Sequence, residues 1–185
     1  MKLSLINENS SETVVLYRQD PRFIDGDQQK LVDIIKSGKY DGRYFAYTKE
    51  AVYEYYSREC LILTVILPIS DLGVDGAYWD GPLLGEKSAY CDINGSPDIS
   101  DIKQAGKDLP QKHKERYMQL SLDALKNGGP ISNYYGSTTK EAFEFYLTLS
   151  QMYIHHHLKN HGQVTLLGRK LHIEEVIDID LAPPK

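Results

Sequence analysis

The run Cys60 to Ile69 (CLILTVILPI) constrains this chain more than any other stretch. Its apolar side chains occupy successive rather than alternate positions, so both faces of the segment have to be covered. It falls well short of the roughly 20 residues of a membrane helix and contains Pro68. The expectation is a central β-strand, with partners on both edges and layers on both faces.

The segments around it supply candidates for those partners. Thr13 to Tyr17 (TVVLY) reads as a buried strand that ends at Arg18 and is broken by Asp20-Pro21. Asp27 to Ser37 spaces Leu31, Ile34 and Ile35 as a helix does, with Gly38 after it. Asp41-Gly42 is a turn signal before a short aromatic strand, Arg43 to Tyr47, and Thr48 is placed to cap a helix over Glu50 to Arg58. From Ser70 to Lys107 turn signals dominate, so residues 70–107 read as a long loop or insertion. Asp108 and Pro110 open a helix to about Lys126. Thr138 and Glu141 form a capping box for another helix to about Lys159, with an apolar stripe through Tyr146, Ser150, Ile154 and Leu158. Gln163 to Leu167 and Leu171 to Ile179 then read as a strand pair turning at Gly168-Arg169. This order lacks regular βα alternation, so the expected fold class is α+β. Residues 1–12 read as a polar leader, 13–180 as one domain and 181–185 as a tail.

Composition narrows the function classes. A net charge of −5, from 21 basic and 26 acidic residues, argues against a broad nucleic-acid-binding face. No apolar stretch has the length of a membrane span or of a signal peptide. Cys60 and Cys91 are too few for a disulfide framework or a cysteine zinc site. The expectation is a cytoplasmic protein, or one delivered into a target cell by a route that needs no cleavable signal, with no membrane partner. His157 and His161 have an i, i+4 spacing, but no Glu follows His157 as in zinc-binding helices, so no metal is expected. Tyrosine is the outlier: 14 against 4 Phe and 1 Trp, with seven of the 14 in the first 56 residues. A ring with a polar tip suits the wall of a ligand cleft as well as a partly wet core.

Two segments carry most of the chemistry. Arg18, directly after a buried strand and flanked by Tyr17 and Gln19, is placed to hold a phosphate or carboxylate in bidentate fashion. Gly42 to Ala51 (GRYFAYTKEA) runs from a glycine turn through aromatics to a hydroxyl cap and a helix bearing Tyr53, Tyr55 and Tyr56. Strand alternation puts Tyr44, Ala46 and Thr48 on one face and Phe45 and Tyr47 on the other, so at most one set faces a ligand.

Together these segments resemble the ADP-ribosyltransferase fold of bacterial toxins and poly-ADP-ribose polymerases. In that family a first strand ends in Arg or His, a second strand and helix carry a Gly-x-Tyr-Phe-Ala type motif, and a later strand carries a catalytic Glu. Leu16 to Arg18 is similar to the first element, Gly42 to Ala51 to the second, and His161 to Ile173 to the third in layout. The resemblance implies a split β-sheet core with peripheral helices. It also implies NAD as the bound dinucleotide and transfer of ADP-ribose to an unidentified acceptor, a host or competitor protein. A toxin or effector of this kind would have a cognate immunity or carrier protein. Arg18 and Gln163 take the catalytic positions, and Tyr17, Tyr44, Phe45, Tyr47, Thr48 and Tyr56 the cofactor-binding ones.

Gln163 stands where the family has its Glu. Gln keeps the shape but lacks the negative charge that stabilises an oxocarbenium-like sugar. Three readings follow: an engineered change that silences a toxic enzyme, a natural relative that binds without turnover, or a displaced alignment in which Glu174 or Glu175 is the acid. An unrelated α+β interaction module, with the tyrosines as a partner-binding patch, is the competing class.

Overall fold

The computed structural model describes residues 12–53, 59–132, 136–160 and 162–182. The elements begin with β1 (Thr13–Asp20), α1 (Gln28–Lys36), β2 (Tyr44–Phe45), α2 (Lys49–Tyr53), β3 (Cys60–Pro68) and β4 (Leu72–Val74). The short helix α3 (Asp80–Leu83), α4 (Ile99–Ala105), α5 (Gln111–Asn127), β5 (Ile131–Ser132) and β6 (Ser137–Thr138) follow. The chain closes with α6 (Lys140–Lys159), β7 (Val164–Leu166) and β8 (Val176–Ala182). Helices and antiparallel strands are thus mixed along the chain. It divides into two compact units, the first reaching Leu72 and resuming at His156, the second spanning Gly73–His155.

The first unit is built on β3. Its sheet has the order β1-β3-β8, both pairings antiparallel, so the apolar run has a neighbour on each edge. Residues Cys60 to Val65 are all buried, as successive apolar positions require. On one face Cys60 and Ile62 join Ala46, Val52 and Ala182, with Tyr17, Ala51 and Tyr53 packed against them. A second small sheet has the order β2-β7-β4, and Tyr44 pairs with Thr165 and Phe45 with Val164. β1 and β2 meet at a single bridge, Tyr17 to Ala46.

The second unit is mainly helical. Trp79 lies 6.0 Å from the Tyr146 ring and 6.1 Å from the Tyr153 ring. The Tyr146 hydroxyl donates to the Val74 carbonyl at 3.0 Å, while Val74 N–H donates to the Ser150 hydroxyl at 3.2 Å. Along α6, Tyr146, Ser150, Ile154 and Leu158 are buried, as the stripe requires. Asp80 is buried and its carboxylate accepts N–H groups from Gly76 and Gly81. Burial, then the charge of Asp75, pushes Asp80 up to about 7, with Glu86 adding a smaller push.

Several expectations require correction. Within the span 13–180, read as one domain, the chain divides into the two compact units described above. Residues 70–107 are not a loop: they contain β4, α3 and α4, the last capped by Asp98, whose carboxylate accepts from Ser100 and Asp101 N–H. The cap of α6 is Thr139, whose hydroxyl accepts from Ala142 N–H; Thr138 lies in β6 and its hydroxyl donates to the Leu83 carbonyl. β7 and β8 do not pair with each other: they belong to different sheets. Leu181 and Ala182 belong to β8, and Ala182 is fully buried, so the tail does not begin at 181. Residues 183–185, and all of the leader but Glu12, lie outside the described residues.

Arg169 explains why β7 and β8 separate. Its Nε donates to Asp71 at 2.7 Å, and Nη1 and Nη2 grip both oxygens of Glu175 at 2.9 and 2.5 Å. This fork holds the chain after β7 beside the turn that precedes β4, while Glu175 also receives His172 N–H and shapes the entry to β8. Arg169→Ala is expected to lower the urea-unfolding free energy by about 1–2 kcal/mol. Arg169→Lys should recover less than half of that loss, because an ammonium group cannot hold two carboxylates with a planar fork.

Candidate functional site

Arg18 lies within β1, not beyond its end, because the strand continues to Asp20. Its side chain fills the space where β1 and β2 part after their one bridge. Nε donates to the Tyr40 hydroxyl at 2.8 Å and Nη1 to the Tyr44 carbonyl at 3.0 Å, with Asp20 Oδ2 at 3.8 Å. Tyr40 donates in turn to Asp20 Oδ2 at 2.8 Å. Arg22 grips both oxygens of Asp20 at 2.8 and 2.7 Å and reaches Asp41 at 2.5 Å. A Cβ on Gly42 would stand 2.5 Å from Arg18 Nε and from the Tyr40 ring, so only glycine lets the chain pass this close.

Asp20 is fully buried. Burial alone would raise its pKa, but hydrogen bonds from Arg22 and Tyr40 and the charges of Arg18 and Arg22 outweigh it and hold the carboxyl below its ordinary range. Burial foremost, together with the Asp20 charge, raises the Tyr40 phenol despite Arg18, so its proton stays in the network.

Beside this network lies the β2–β7 ribbon. Antiparallel partners project from the same face, so Tyr44 and Thr165 share one. The same register continued one step sets Ala46 opposite Gln163, again on that face. Both faces are covered: Phe45, Val164 and Leu166 are buried on one, and Ala46 and Thr165 on the other. Gln163 is half-buried, and its carbonyl lies 2.7 Å from His157 Nε2. Gly162 makes that approach possible, since a Cβ there would stand 2.3 Å from the same nitrogen. Thr165 is 3% exposed, and its hydroxyl has no hydrogen-bond partner among the described residues.

The structure therefore brings the Arg18 guanidinium to the Tyr44 backbone, on the strand that pairs with β7. It does not bring the other candidates there. Tyr17 neighbours Arg18 in sequence, so it projects from the opposite face of β1; bridged to Ala46, it shares the face of Ala46, Tyr44 and Thr165 and packs against Ala46, Val52 and Cys60 under the Lys49 ammonium. Phe45 is 1% exposed and belongs to the core. Tyr47 is 41% exposed. The Thr48 hydroxyl accepts from Ala51 N–H and caps α2. Tyr56 lies outside the described residues. Glu175 is held by Arg169, and Glu174 lines a groove with Ile35 to Gly38, so neither reaches the Tyr44–Thr165 face.

That groove, about 560 Å³, belongs to the first unit. A second, about 430 Å³, belongs to the second unit and is lined by Tyr78, Tyr90, Asp101 and Asp108 among others. Neither is lined by Arg18, Tyr44 or Gln163. Asp20, Tyr40 and Thr165 were not singled out by sequence reasoning. Asp20 reads as a strand breaker beside Pro21, and Tyr40 and Thr165 have no local signal, because their roles come from partners 20 or more residues away. Among the described residues no group of three or more His, Cys, Asp or Glu could hold a metal ion, and no helix is long and apolar enough to cross a membrane. Comparison with protein-family models, curated proteins and solved structures returned no match.

The depressed pKa of Asp20 has a definite sign in stability. Its contribution is fully present above the unfolded value of about 3.9 and is lost as pH falls through the lower folded value. Asp20→Asn is expected to cost about 3 kcal/mol at pH 7, because Arg18 loses its buried counter-charge. The difference from the unsubstituted chain should shrink in unfolding titrations carried below pH 4.

Proposed function

We propose that the first unit is an ADP-ribosyltransferase-like domain that binds NAD on the Tyr44–Gln163 face. In this reading Gln163 occupies the position of the catalytic carboxylate. The observation that supports it best is the convergence of three sequence-distant segments: Arg18 bonds the Tyr44 carbonyl, and β2 pairs with β7, the strand that follows Gln163. These segments carry the three elements of the resemblance.

The residues fit a dinucleotide in character. Arg18 keeps 17% of its side chain exposed while Tyr40 and Tyr44 fix its orientation, which suits a guanidinium that meets a phosphate. The Tyr44 ring offers an aromatic surface for a planar heterocycle. A neutral Gln163 contacts the nicotinamide ribose through an amide and supplies no charge to the developing oxocarbenium. The consequence is binding with little turnover. The acceptor in this reading is a protein. The second unit is assigned to its recognition: apart from the buried Asp75 and Asp80, residues 73–108 hold five acidic and three basic side chains, a modest balance toward a basic acceptor surface.

Titration calorimetry with NAD, paired with an assay of released nicotinamide, tests the proposal. The unsubstituted chain should bind NAD and release little. Gln163→Glu should bind with similar affinity and release nicotinamide about 10²- to 10³-fold faster. Binding without faster release would leave a pure binding module. No binding by either form would favour an interaction domain whose tyrosines meet a partner protein.

A further inference from the structure

We propose that the groove of the second unit lined by Tyr78, Tyr90, Asp101 and Asp108 docks an exposed arginine side chain of a partner protein. The inference rests on the recognition role given to the second unit above and needs no NAD. It assigns a grip, with no bond made or broken. The groove holds about 430 Å³, within the usual size of small-ligand pockets. Tyr78 is 77% exposed, Asp101 and Asp108 are exposed and Tyr90 is half-buried, so a side chain from outside reaches the lining directly.

The aromatic wall is held in place from within the unit. The Tyr90 hydroxyl donates to the Tyr78 carbonyl at 3.1 Å and ties the two tyrosine segments together. A Cβ on Gly81 would stand 3.1 Å from the Tyr90 ring, so glycine in α3 lets that ring lie close against it. The rest of the lining carries charge. Among the described residues neither Asp101 nor Asp108 gives its carboxylate to a hydrogen bond or an ion pair. Lys107 also lines the groove and pairs with neither, so two carboxylates face one ammonium. Burial foremost, then the charges of Asp80, Glu86 and Asp101, raises the Tyr90 phenol, so the negative field extends to the aromatic wall. This combination selects the ligand. Tyrosine faces attract a cation, and two carboxylates favour one with several directed donors. A guanidinium meets both needs, because its plane stacks on a ring while its five N–H groups reach separate acceptors.

An amide ¹H–¹⁵N NMR titration of the whole chain with acetyl-Gly-Gly-Arg-Gly-Gly-amide at low salt tests this. Saturable shifts are expected at Tyr78, Tyr90 and residues 101–108. The citrulline analogue keeps the shape without the charge and should bind about tenfold more weakly. Tyr78→Ala should weaken the arginine peptide about two- to fivefold, and Asp101→Asn combined with Asp108→Asn about tenfold. All three side chains are exposed, so these variants should melt within about 2 °C of the unsubstituted chain. Equal affinity for the citrulline peptide, or for its lysine counterpart, would overturn the inference. Shifts unaltered by the substitutions, or a spectrum unmoved by the arginine peptide, would overturn it too, whatever the outcome with NAD. Failure to bind NAD alone would remove the reading of the first unit and leave this groove standing.

Discussion

The buried carboxylate of Asp20 is the constraint around which the first unit is arranged. A charge in that position must be matched in full, and two guanidinium groups and a phenol do so. Those partners come from the end of β1, the turn after it and the approach to β2, so one buried ionic group fixes three stretches of backbone. The arrangement also explains Gly42: Arg18 and Tyr40 occupy the volume that any side chain there would need. β1 and β2 meet at one bridge and then part, and the gap is filled by Arg18 in place of further ladder hydrogen bonds.

This gives Arg18 two tasks. It closes the split between two sheets, and it presents a preoriented guanidinium where they diverge. Tyr40 and Asp20 stabilise that orientation, which in the proposed reading lowers the ordering cost of binding. On the β7 side His157 and Gly162 fix the chain at Gln163, and the register with β2 sets Thr165 opposite Tyr44. In the proposed reading, what is missing for catalysis is only the negative charge. A neutral amide in a preorganised site is consistent with binding retained and bond cleavage slowed.

The parts legible in the sequence were those whose signal is local. Successive apolar residues made β3 central, the spacing of Leu31 and Ile35 made α1, and the Tyr146–Leu158 stripe made α6. The misread parts depend on distant partners. Gly168-Arg169 reads as a hairpin turn, yet Arg169 binds Asp71, 98 residues earlier, and so sends β7 and β8 to different sheets. Clustered turn signals in 70–107 hid α4, although Asp98 followed by Ser100 and Asp101 is an ordinary cap. At the candidate site Arg18, Tyr44 and Gln163 were legible as residues. The Asp20–Tyr40 support and Thr165 were not, because each draws its role from another strand. Tyr17 and Arg18 are neighbours in sequence, so they project from opposite faces of β1, and the bridge turns Tyr17 to the Ala46 side.

The measurement that tests the account most directly is an amide ¹H–¹⁵N NMR titration of the unsubstituted chain with NAD. The account predicts saturable shifts concentrated at Arg18, Tyr44 to Ala46 and Gln163 to Thr165, with the amides of residues 61–67 in β3 unmoved. Shifts that avoid those segments, or a spectrum unchanged at millimolar NAD, would contradict it.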